Sequence, residues 1–165
     1  GDKTSLNTFY LERIYKVFPN AKFIHLIRDG CDVVSSYVEA NIYNNIEDAA
    51  ERWSNSVKIA DNFVKKYNKK SLEIRYEDLV NTPKITVQKI CDFLEIEYED
   101  AMLNSELKYR MGDVEMRQHH KQVYNPISTS SIGKGRYKLT NQQKQRLQQL
   151  IGDHLEKLGY QPCIS

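Results

Sequence analysis

A short, mostly apolar run, Lys22-Phe23-Ile24-His25-Leu26-Ile27, passes directly into Arg28-Asp29-Gly30 and then into Asp32-Val33-Val34-Ser35-Ser36-Tyr37-Val38. The run has the character of a buried parallel strand, with His25 a satisfied sheet histidine. The segment after the turn reads as a helix. Strand, tight turn and helix in immediate succession form the repeating unit of α/β layers, so this stretch narrows the fold class before composition is considered.

The flanking sequence carries matching signals. Leu6, Tyr10, Ile14, Val17 and Phe18 recur at helical spacing over 6–18, and Pro19-Asn20 stops that helix. Residues 47–66 repeat the pattern through Ala49, Trp53, Val57, Ala60 and Val64, and the lysines of 65–70 suit a helix C-terminus. Ser71–Tyr76 is a second strand, and Pro83 opens a helix with Val87, Ile90, Cys91 and Leu94 on its apolar face. Thr140 and Gln143 form a capping-box pair before the stripe Leu147, Leu150, Ile151, Leu155 and Leu158, which Gly159 ends. Residues 108–135 are polar and irregular. The expectation is an α/β fold with a parallel sheet, in a single domain over 1–165. Two strands are few for a sheet covered on both faces, so the chain is expected to be part of a larger domain.

Composition removes several function classes. The 165 residues carry 24 Lys+Arg against 22 Asp+Glu, a net charge of +2, with 40% hydrophobic residues. That dispersed balance permits an anionic small ligand but gives no basic stripe for nucleic acid. No apolar run approaches the ~20 residues of a membrane span. Cys31, Cys91 and Cys163 are odd in number and far apart, so neither a disulfide framework nor a zinc ribbon is indicated. Cys91 reads as a core residue. Adjacent His119 and His120 point apart and make a poor metal pair, so no metal is expected.

Anion chemistry can sit in three places. Arg28 follows the strand and Ser36 lies eight residues on, a guanidinium fork and a hydroxyl near a helix start, which suits a phosphate monoester. The equal alternative is a structural ion pair of Arg28 with Asp29 or Asp32. Tyr76, at the second strand's end, is positioned either to pack in the core or to meet a base. Ser130-Ser131-Ile132-Gly133-Lys134-Gly135-Arg136 reads as a flexible polar loop whose glycines would let backbone N–H groups approach an anion. Gly1-Asp2-Lys3-Thr4 opens the chain, but no G-x-x-x-x-G-K-[ST] occurs, so no nucleoside-triphosphate P-loop is encoded.

Together, FPNAKFIHLIRDG-x-DVVSSY, RYEDLV-x-x-P, KICDFL and PISTSSIGKGR resemble the sulfotransferases that use 3′-phosphoadenosine-5′-phosphosulfate (PAPS), in particular the bacterial carbohydrate-type branch and its heparan and tyrosylprotein relatives. The likeness spans residues 2 to about 158. It implies a three-layer, P-loop-NTPase-like fold and transfer of a sulfuryl group from PAPS to an acceptor hydroxyl or amine, releasing PAP (adenosine 3′,5′-bisphosphate) without a metal. By the same resemblance, Arg28 and Ser36 hold the 3′-phosphate, Tyr76 lies near the adenine, and Gly133, Lys134, Gly135 and Arg136 belong to a loop closing over the phosphates. Asp2 and Lys3 match the E-K-[ST] segment as base and sulfuryl contact, with aspartate one methylene shorter than the usual glutamate.

Cys31 stands where the family often has arginine. The family's 5′-phosphosulfate strand and loop have no counterpart here, so the resemblance implies the C-terminal part of the domain, inactive or nearly so alone. The acceptor is open, with Tyr43, His119, His120 and Tyr124 as candidate contacts, and so is the oligomeric state. A cytoplasmic site follows from the bacterial likeness, a Golgi lumen from a eukaryotic one. The alternative is a non-catalytic nucleotide- or glycan-binding module of the same fold. A kinase relative is disfavoured by the missing P-loop.

Overall fold

In the computed structural model, residues 1–103 and 127–164 are described; the candidate contacts His119, His120 and Tyr124 lie outside them. A 3₁₀ helix, Ser5–Tyr10, leads into α1 (Leu11–Val17), β1 (Phe23–Ile27), α2 (Gly30–Glu39) and α3 (Ile46–Lys66). Then come β2 (Ser71–Arg75), α4 (Tyr76–Asn81), α5 (Pro83–Leu94), α6 (Lys134–Lys138) and α7 (Asn141–Lys157). The two described strands pair in parallel, with Phe23 opposite Ser71 and Ile27 opposite Arg75. This is the α/β arrangement that the strand–turn–helix unit predicts. No described helix is long and apolar enough to cross a membrane.

The core lies where α2, α3 and α7 meet. Val34, Ala49, Trp53, Val57, Leu147, Ile151 and Leu155 are buried there, the stripes the periodicity picks out. Thr140 Oγ1 accepts the Gln143 N–H at 3.2 Å while Gln143 Oε1 accepts the Thr140 N–H at 2.9 Å, so the capping box forms. Gly159, at φ 69°, ends α7 in the left-handed region that glycine tolerates. An aromatic cluster joins α1 to α3 and the sheet: Phe23 and Phe63 centroids lie 4.8 Å apart, Tyr15 and Tyr67 4.3 Å apart. Cys91 is buried and free, as expected of a core residue.

Four expectations need correction. Cys31 and Cys163 are joined in a disulfide across 132 residues, with Cα atoms 6.5 Å apart. Sequence spacing cannot reveal such a pair, because the fold alone brings the tail beyond α7 against the first turn of α2. Tyr76 opens α4 rather than closing β2, because the acidic Glu77 and Asp78 suit a first helical turn. The supposed loop at Lys134–Arg136 is the start of a short helix. Finally, Leu6, Tyr10, Val17 and Phe18 are exposed: the expected single helix over 6–18 is a 3₁₀ helix, Ser5–Tyr10, followed by α1, which turns its Tyr15 face to the aromatic cluster. On the sheet, Ile24 and Leu26 are also open, at 40% and 51% exposure, since no described element covers that face of β1.

Candidate functional site

The site grows from the end of β1. Asp29 caps α2: its Oδ1 accepts the N–H groups of Cys31 at 2.8 Å and Asp32 at 3.2 Å. Its own N–H donates to Glu77 Oε1 at 3.0 Å, which ties the turn to α4. Trp53 Nε1 donates to the Arg28 carbonyl at 3.1 Å, and a Cβ on Gly30 would come within 3.0 Å of the same indole. The turn that carries Arg28 is therefore held from the capping side, from α4 and from α3. Burial and the neighbouring Glu77 carboxylate hold the Tyr160 hydroxyl far above its ordinary pKa, so it stays protonated and donates to Glu77 Oε2 at 3.0 Å.

The Arg28 side chain is only partly committed. Nη2 donates to the Ser131 carbonyl at 2.6 Å and lies 3.5 Å from Asp32 Oδ2. The guanidinium stacks on the Tyr76 ring, 4.7 Å from its centroid. Nε is buried and has no hydrogen-bond partner among the described residues. A buried donor left unpaired costs about 1–3 kcal/mol. Beside it is a polar pocket of about 110 Å³ lined by Arg28, Ser36, Lys134, Gly135 and Lys138, with Asp32 at its wall. Both readings of Arg28 thus have a physical basis: a contact to Asp32, and a place on a pocket of mixed charge where Lys138 is paired with Glu39 at 2.6 Å and Lys134 is the further cation.

Of the residues expected at a nucleotide site, the fold brings Arg28, Ser36, Lys134 and Gly135 to one pocket, with Tyr76 stacked on Arg28. Arg136 is directed elsewhere: it donates to Asp29 Oδ2 at 2.7 Å and to the carbonyls of Gln161, at 2.7 Å, and Pro162. With Gly133 it lines a separate 250 Å³ recess beside Glu77 and Tyr160. Asp2 and Lys3 line a third space, a 710 Å³ groove shared with Leu11, Ile14, Phe18 and Phe63. There Asp2 Oδ2 accepts the Asn7 side-chain amide at 2.7 Å. Tyr43 packs on Tyr37, with centroids 5.6 Å apart.

The residues that sequence reasoning passed over are Trp53 and Asp32. Trp53 looked like one more member of an apolar stripe; its indole N–H had to find an acceptor once buried, and that partner is the Arg28 carbonyl. Asp32 looked like an optional partner for Arg28. Its contacts with Gly133 and Gly135, about a hundred residues away, exist only in the folded chain.

A family model described as "Sulfotransferase family" matches residues 1–100. The chain belongs to the sulfotransferase family. Among its relatives is protein-tyrosine sulfotransferase 1 of Danio rerio, 28% identical over 162 residues, covering 92% of this chain and 45% of that protein. The sulfotransferase domain from the curacin biosynthetic pathway superposes with a TM-score of 0.72 at 25% identity, covering 95% of this chain and 60% of that one. The sulfotransferase domain from the Synechococcus PCC 7002 olefin synthase shares the fold, with a TM-score of 0.76 at 24% identity, over 95% and 56% of the two chains. The chain thus spans less than two thirds of each of these sulfotransferases. Arg28, Ser36 and Tyr76 fall within the matched segment, and Lys134–Arg136 beyond it.

Proposed function

We propose that this chain forms the 3′-phosphate-binding part of a sulfotransferase that moves a sulfuryl group from PAPS to an acceptor hydroxyl or amine and releases PAP. The observation that carries the reading is the partly uncommitted Arg28 guanidinium, stacked on Tyr76 and facing a pocket with Ser36 and Lys134. A planar guanidinium fork with an ammonium and a hydroxyl suits a phosphate monoester. In the reaction, the acceptor oxygen or nitrogen bonds to sulfur as the bond from sulfur to the 5′-phosphate oxygen breaks. These residues hold the far end of the nucleotide fixed, which makes their contribution one of positioning. The names of relatives such as the Danio rerio protein favour a tyrosyl hydroxyl as acceptor.

Asp2 is the proposed base that takes the acceptor's proton, with Lys3 at the sulfuryl group. Their groove is distinct from the Arg28 pocket, so this role requires the opening segment to approach the nucleotide when it binds. Turnover by Asp2→Asn equal to that of the parent enzyme at neutral pH would remove it. The same separation favours a second reading, a nucleotide-binding module without catalysis. Among the described residues β1 pairs only with β2, so its other edge suits a further strand bearing the 5′-phosphosulfate loop. The Cys31–Cys163 disulfide favours an oxidising compartment over the cytoplasm.

The experiment is a thermal-shift titration with PAP, with 5′-AMP and ATP as controls. At one hundred times its dissociation constant, PAP is expected to stabilise the fold by about 2.7 kcal/mol, and 5′-AMP at the same concentration by much less. Equal shifts from PAP and 5′-AMP would overturn the 3′-phosphate assignment. No shift with any nucleotide would sink the nucleotide reading altogether.

A further inference from the structure

We propose that Asp32 is a positioning residue for the nucleotide site, setting which donors face the 3′-phosphate; the inference rests on the sulfotransferase reading above. Its side chain is wholly buried, yet both oxygens are occupied. Oδ1 accepts the Gly135 N–H at 2.7 Å, and Oδ2 accepts the Gly133 N–H at 2.8 Å while lying 3.5 Å from Arg28 Nη2. A buried carboxylate demands such partners. Here they come from two distant parts of the chain, the strand–turn–helix unit and the start of α6.

The packing leaves this arrangement little freedom. A Cβ on Gly135 would lie 2.5 Å from the Cys31 carbonyl oxygen and 2.7 Å from the Asp32 Cα, so α6 sits directly on the first turn of α2. Gly133 adopts φ 72°, which turns its N–H inward at low cost. The amides that the glycine-rich sequence offers to an anion are thereby committed to Asp32. The phosphate is left to the side chains of Arg28, Ser36 and Lys134, since Lys138 at the rim is paired with Glu39 at 2.6 Å. Asp32 thus ties Arg28 to the backbone on either side of Lys134, and through that tie it sets which side chains meet the 3′-phosphate.

The test is Asp32→Asn, with affinities for PAP and 5′-AMP measured by calorimetry on the whole chain well below its melting temperature. Asparagine keeps the shape but loses the charge, and its amide nitrogen cannot accept a loop N–H. The expected result is a loss of PAP affinity of about tenfold or more, the scale of one charge-assisted hydrogen bond, with 5′-AMP affinity unchanged. A purely structural role predicts a lower melting temperature with the ratio of the two affinities intact, and that outcome overturns the proposal.

Should the variant fail to fold, the wild-type chain gives an independent reading by NMR. With PAP bound, the Gly133 and Gly135 amides should keep their exchange protection and show no scalar coupling to phosphorus. Coupling to phosphorus, or loss of protection, overturns the assignment. A wild-type chain that binds no PAP removes the 3′-phosphate-site reading and this role with it, a result distinct from normal binding with an unaltered ratio in Asp32→Asn.

Discussion

Arg28→Ala is expected to weaken PAP binding about a hundredfold, corresponding to two charge-assisted hydrogen bonds at roughly 1.5 kcal/mol each. Binding of 5′-AMP, which has nothing at the 3′ position, should change little. The size of the effect follows from the environment: the guanidinium is held on Tyr76 and by the Ser131 carbonyl, and its buried Nε has no described partner. A ligand that satisfies a pre-oriented donor avoids the entropy of ordering it. Arg28→Lys should fall between the two proteins, because it retains the charge but not the fork. Titration calorimetry on the three proteins decides the matter. Wild-type PAP affinity in Arg28→Ala would mean that Arg28 serves only Asp32 and the α6 segment.

The second large effect concerns the tail. Cys163 is bonded to Cys31 over a sequence separation of 132, and both sulfurs are buried. In the chain-entropy description, opening a loop of that length by Cys163→Ser costs about 5 kcal/mol. For a domain of this size the melting temperature should then fall by about 10–20 °C. The tail also brings the Gln161 and Pro162 carbonyls to Arg136, which holds Asp29 Oδ2. Releasing it should therefore loosen the cap of α2 as well. Calorimetric scans with and without a reductant that reaches buried sulfurs test this. An unchanged melting temperature, with three thiols titrating in the unfolded protein, would show that no disulfide staples the fold.

Much of the fold was legible in the chain because it depends on local rules. The apolar run ending at Ile27, the stripe through Trp53 and Val57, Pro83 at a first helical turn and the Thr140–Gln143 box each specify an element from a few neighbouring residues. The order of the motifs itself points to the family. The site was legible in part: Arg28, Ser36, Lys134 and Gly135 do share a pocket. What stayed hidden depends on pairing across more than a hundred residues. Cys31 with Cys163, Asp32 with Gly133 and Gly135, and Arg136 with Asp29 have no local signature. The glycines illustrate the difficulty. In sequence they read as amides free for an anion, whereas the fold gives those amides a buried anion of its own, Asp32. Likewise the exposed Leu6, Val17 and Phe18 obey helical spacing, but periodicity does not say what packs against a stripe.

Trp53 is the single tryptophan of the chain, and its indole N–H is bonded to the carbonyl of Arg28. Indole emission responds to the polarity and the hydrogen bonding around the ring. Any change at Arg28 when a phosphate is seated is thus coupled by one bond to the one indole of this chain. The fold therefore carries its own optical gauge of site occupancy, readable in solution without a label.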